Sequence, residues 1–123
     1  MSLPRNNKLW RMLFWLLWSF CTLLFLLPAS GLPAINIWDK AMHAGVFALL
    51  MILALPAYKK NRAAEEIAML LIAYGLAIEV VQHFIPTRSF SLLDVLADAI
   101  GVSCILIGAY FIKQKKSKKR IRP

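Results

Sequence analysis

Four apolar stretches follow one another with only short polar breaks, each about as long as a helix that crosses a bilayer. A crossing helix needs about 20 mostly apolar residues, because each adds about 1.5 Å across a hydrocarbon core about 30 Å thick. In lipid every backbone N–H and C=O must be satisfied within the segment, and a helix does that. The stretches run from about Leu9 to Leu27, Asp39 to Tyr58, Glu66 to Ile85 and Leu92 to Ile112. They predict an all-α integral membrane protein, a compact bundle of four transmembrane helices forming a single domain over residues 1–112. Pro28, Gly31 and Pro33 are expected to end the first run, and residues 113–123 to form a frayed or disordered basic tail in the cytoplasm. Composition agrees, since 60% of the 123 residues are hydrophobic, more than a soluble domain of this size can bury.

The first run also has the basic start of a secretory signal. It is long for one, and Pro28-Ala29-Ser30 is a poor small-x-small cleavage site, so retention is expected. Cys21 and Cys104 both lie inside apolar runs and read as small packing residues.

The formal net charge is +9, and its distribution matters more than its size. Arg5, Lys8 and Arg11 precede or open the first run, and Lys59, Lys60 and Arg62 fill the second connection. Lys113, Lys115, Lys116, Lys118, Lys119, Arg120 and Arg122 make up the tail, whereas the first and third connections hold only Lys40 and Arg88. The positive-inside rule then places both termini and the second connection in the cytoplasm. Basic clusters beside apolar runs point to anionic lipid headgroups; no basic patch interleaved with exposed aromatics points to nucleic acid.

That orientation gathers the other polar residues. Asp39, Lys40 and His43 open the second helix, Glu79, Gln82 and His83 close the third, Arg88, Ser89 and Ser91 fill the outer connection, and Asp94 and Asp98 open the fourth. Asp39/His43, Glu79/His83 and Asp94/Asp98 are each i,i+4, so each helix offers a polar stripe. An ionised side chain facing lipid at mid-helix costs about 2.5–3.5 kcal/mol even on the lenient scale, so these groups must pair, be protonated or line a hydrated pocket. Plainer readings exist for most of them. Asp39 suits a helix cap, Ser91-Leu92-Leu93-Asp94 suits a capping box, and Lys40 and Arg88 suit interface anchors. His43, His83, Gln82 and Asp98 suit interhelical hydrogen bonds. Glu79, acidic, deep and away from any cap, is the hardest to explain structurally. Gly101 and Gly108 read as close helix packing.

Taken together the residues resemble the VanZ-like family. The resemblance rests on Asp39-Lys40-x-x-His43 with Phe47, on Glu79-x-x-Gln82 with Phe84, Pro86, Arg88 and Ser89, and on Asp94-x-x-x-Asp98-x-x-Gly101. It covers about Asp39 to Gly108. It implies an α-helical protein of the bacterial cytoplasmic membrane, and the family's name-giving member is associated with resistance to the glycopeptide teicoplanin. The family usually has Asn where this chain has Asp98, so a negative charge is added there.

Three functions remain open. One is a cell-envelope protein whose outward polar pocket, formed by Asp39, Lys40, His43, Glu79, Gln82, Arg88, Ser89, Asp94 and Asp98, binds a lipid-linked or anionic headgroup such as a cell-wall precursor. The second is a membrane-embedded hydrolase or transferase on such a lipid, with Glu79 or Asp94 as general base and His43 or His83 as proton carrier. The third is a small transporter or proton relay, which intramembrane acids favour and the lack of an inverted repeat opposes. Asp39, His43, Glu79, His83, Asp94 and Asp98 are suitable metal-donor types, but no His pair at i,i+4 and no Cys set gives a metal signature. Neither metal nor cofactor is therefore predicted.

Overall fold

A computed structural model of the chain describes residues 7–27, 36–86, 88 and 90–122; within its second helix the side-chain description begins at Lys40. Arg5, Pro28, Gly31, Pro33, Ser89 and the side chain of Asp39 lie outside the described residues. The elements are α1 (Asn7–Leu26), α2 (Asn36–Tyr58), α3 (Ala64–His83) and α4 (Leu92–Ile121). This is the expected all-α bundle.

Side-chain contacts fix how the helices run. Arg11 Nε donates to Ala57 O at 3.2 Å and Trp15 Nε1 to the Tyr58 hydroxyl at 2.7 Å, while Phe25 stacks on His43. The start of α1 therefore meets the end of α2, and these two are antiparallel. Thr22 pairs with Tyr74 and Gln82 with Phe25, so α1 and α3 run together. Lys40 meets Asp94 and Ala44 abuts Gly101, so α2 and α4 run together. Short connections at 59–63 and 84–91 leave no other choice for consecutive helices. Helix α2 packs against the other three, whereas α1 and α4 sit on opposite sides and do not touch among the described residues.

The interior is one apolar stripe per helix. On α2 it follows Phe47, Leu50, Met51, Ala54 and Ala57, at the three- and four-residue steps that share a helix face. It meets Phe14 and Cys21 of α1, Ile67 and Leu71 of α3, and Val102 of α4. The outside is just as apolar, with Leu23 68% and Met69 63% exposed. Water would penalise such a surface and lipid does not, so the pattern suits a membrane. By length and composition α1, α4 and Lys40–Tyr58 of α2 can each cross one. Helix α3, with 20 residues, has the length but carries Glu65, Glu66 and Glu79.

The expectation of a frayed tail fails. Helix α4 runs for 30 residues, to Ile121, which is about 45 Å and longer than the hydrocarbon is thick. Apolarity marks where lipid ends, not where the helix ends. Lys, Arg and Gln are good helix formers, and Lys118, Lys119 and Arg120 in the last turn complement the carbonyl end of the dipole.

Candidate functional site

One end of the bundle interior turns from apolar to ionic. The α2 stripe that carries Phe47 and Leu50 continues one turn earlier to His43, the α3 stripe continues to Glu79 and Gln82, and the α4 stripe begins with Asp94 and Asp98. Parallel α2 and α4, with α3 antiparallel between their starts, bring these polar ends together. His43, Glu79 and Asp98 have no solvent exposure at all.

His43 is the hub. Its Nδ1 lies 2.9 Å from Asp98 Oδ1 and its Nε2 lies 3.8 Å from Asp94 Oδ2. The Phe25 ring stacks on the imidazole with centroids 4.6 Å apart and covers it from the α1 side. Asp94 holds Lys40 through its other oxygen, Nζ to Oδ1 at 3.1 Å. The Lys40 side chain is 31% exposed against 9% for Asp94, so Lys40 stands at the rim and the rest lies behind it.

Ser91 caps α4 as expected, its hydroxyl accepting from Asp94 N at 3.3 Å. The other half of the capping box does not form. The Ser91 N–H donates to Glu79 Oε2 at 3.0 Å, so α3 rather than Asp94 completes the cap. The Asp94 carboxylate is thereby released to Lys40 and His43. Glu79 Oε1 is buried and has no hydrogen-bond partner among the described residues. One donor atom each from His43, Glu79 and Asp94 lie within 4.8 Å of one another.

Two glycines make the room. A Cβ on Gly75 would stand 2.6 Å from Asp98 Oδ2, and one on Gly101 would stand 2.2 Å from Ala44 O. Gly101 therefore packs as read from sequence. Gly75, together with Phe25 and the Ser91 amide, escaped sequence reasoning. A glycine inside an apolar run gives no sign of which side chain it admits.

Other expected members stand apart. Gln82 is buried but donates from Nε2 to Phe25 O at 2.7 Å, tying α3 to the end of α1. Arg88 donates from Nε to Leu27 O at 2.8 Å, and among the described residues it meets no carboxylate, since the connection carries it toward the end of α1. His83, the last residue of α3, is exposed and meets Phe84 edge-on, so it does not join Glu79. Position i+3 from Glu79, not i+4, faces inward there. Among the described residues the cluster's side chains are buried apart from Lys40. An apolar cleft of about 330 Å³ lies at the opposite end, lined by Phe14, Trp15, Trp18, Tyr58, Leu70 and Tyr74.

Comparison with known proteins matches the sequence to a family. Residues 3–114 fit the family model described as VanZ/LLP1. An uncharacterized protein of Schizosaccharomyces pombe is 32% identical over 98 residues, covering 76% of this chain and 60% of that protein. The chain thus spans about three-fifths of that curated relative's length. No solved structure is significantly similar. A family match that embraces every residue of the polar cluster and nearly all of the bundle makes the chain a member of the VanZ/LLP1 family.

Proposed function

We propose that the protein binds a lipid-linked anionic headgroup at one membrane face, with Lys40 as the first contact and the cluster behind it as the support. The observation that carries this reading is the Lys40–Asp94 pair, a cation held at the rim of an otherwise buried polar site. A headgroup phosphate meets a positioned ammonium there instead of a freely rotating one, which lowers the ordering cost of binding. The face is the extracytoplasmic one. Lys8, Arg11, Lys59, Lys60, Arg62 and the α4 tail lie at the opposite end, where the positive-inside rule puts the cytoplasm together with both termini.

A second reading draws on the Asp98–His43 contact. A histidine whose Nδ1 is held by a buried carboxylate has its tautomer and ring orientation set for proton transfer at Nε2. This supports a hydrolase or transferase acting on the same class of lipid, with His43 as the base and Asp94 beside it. Transport gains no support, because the interior below the cluster, from Phe47 through Leu50, Met51 and Val102, is apolar.

The test is native mass spectrometry of the full chain released from nanodiscs containing phosphatidylglycerol or a polyprenyl phosphate. Wild type is expected to retain one such lipid, Lys40→Ala to lose it, and Lys60→Ala to keep it. Equal retention by Lys40→Ala and wild type would overturn the headgroup reading.

A further inference from the structure

We propose that His43, Glu79 and Asp94 hold a divalent transition-metal cation, of the zinc or manganese class, with Asp98 as the residue that orients the imidazole. The donors come from three helices, so no local sequence motif announces them, and metal was not expected from sequence.

Geometry comes first. The three donor atoms lie within 4.8 Å of one another. Ligands bonded at about 2.1 Å in a tetrahedral shell stand about 3.4 Å apart, so side-chain adjustments of about 1 Å close the set. The donor types suit the class, one imidazole nitrogen and two carboxylate oxygens.

The second observation is Glu79. It is fully buried, its Oε2 is occupied by the Ser91 amide, and its Oε1 has no hydrogen-bond partner among the described residues. A buried carboxylate oxygen is retained when a cation or a proton faces it. The third is the support. Metal-bound histidines commonly give their other ring N–H to a carboxylate, and Asp98 Oδ1 sits 2.9 Å from His43 Nδ1. With the proton on Nδ1, Nε2 is left as the donor atom, 3.8 Å from Asp94 Oδ2. Lys40 occupies Oδ1 of Asp94 and leaves Oδ2 to the cation. Charge agrees as well. Among the described residues the carboxylates of Glu79, Asp94 and Asp98 outnumber the ammonium of Lys40 by two, and a divalent ion beside a neutral imidazole cancels the difference. Three protein donors leave a coordination position for water or for an oxygen of a bound molecule.

The experiment uses full-length protein in detergent, stripped with EDTA and titrated with Mn(II) alone, with free Mn(II) read by electron paramagnetic resonance. Wild type is expected to bind one Mn(II) per chain, displaced by Zn(II). Glu79→Gln is expected to weaken binding more than tenfold, Asp98→Asn by about tenfold because its neutral oxygen keeps the hydrogen bond but no longer raises the basicity of the imidazole, and exposed Glu66→Gln not at all. If Glu79→Gln does not fold, the wild-type unfolding midpoint with and without Mn(II) decides: a rise supports the site, and no rise overturns it. Folded wild type that binds neither metal, or undiminished binding by Glu79→Gln, also overturns it. Lipid retention in the EDTA-stripped sample separates the two proposals. Lys40-dependent lipid without metal removes the cation alone, and metal without lipid removes the headgroup alone.

Discussion

Gly101→Ala tests the helix contact on which the whole cluster depends. A Cβ at Gly101 would stand 2.2 Å from Ala44 O and 3.0 Å from the Ala44 carbonyl carbon. Carbon and oxygen that are not bonded settle at about 3.3 Å or more, so α2 and α4 must part locally by about 1 Å. Backbone lies on both sides of the clash and no rotamer relieves it. Overpacking of this kind costs about 1–3 kcal/mol. The displacement also reaches the next turn, where His43 Nδ1 and Asp98 Oδ1 are 2.9 Å apart and would pass beyond hydrogen-bonding distance. Losing a bond to a charged group adds about 1.5–3 kcal/mol, so a total of about 2.5–6 kcal/mol is expected if the pair breaks. Gly108→Ala is the control, because a Cβ there meets nothing within 4 Å. It is expected to be neutral or to stabilise by up to about 1 kcal/mol through helix propensity. Thermal unfolding in detergent, followed by circular dichroism, measures both. A wild-type midpoint for Gly101→Ala, or an equal loss for Gly108→Ala, would refute the argument that close approach at this one site sets the cluster.

Gln82→Leu removes the 2.7 Å bond to Phe25 O and is expected to cost about 0.6–1.7 kcal/mol in the same unfolding assay. Asp98→Asn, which keeps an oxygen for His43 Nδ1, is expected to fold like wild type, whereas Asp98→Leu strands a buried imidazole and is expected to lose about 3 kcal/mol or more. Arg62→Ala breaks a 3.4 Å pair with Glu66 whose side chains are 55% and 52% exposed, so its effect is expected to stay below about 1 kcal/mol and to vanish in high salt.

The helices were legible because lipid imposes a simple rule on composition. The starts and ends of α1, α2 and α3 fall within about three residues of the apolar runs, as boundary uncertainty allows. The end of α4 was not legible, since a helix leaves the bilayer without unwinding when Lys and Gln continue it. The convergence of His43, Glu79, Asp94 and Asp98 was legible from orientation, which puts the polar ends of three helices on one side. Membership at single-residue precision was not. His83 and Gln82 follow Glu79 by four and three positions, and only packing against α1 decides that Gln82 turns in. Arg88 read as an interface anchor or a pocket member, and the path of the connection brings its Nε to the Leu27 carbonyl. The amide of Ser91 carries no sequence signal at all.

The acidity of α3 also bears on how the chain is made. A nascent segment carrying Glu79 and released alone into hydrocarbon would face about 2.5–3.5 kcal/mol of penalty for that carboxylate, with nothing yet synthesised to offset it. One hydrogen bond to it comes from the Ser91 amide, which is synthesised only after α3 is complete, at the threshold of α4. A chain cut before Ser91 is therefore expected to insert α3 less efficiently than one that carries α4, which a glycosylation-reporter insertion assay reads.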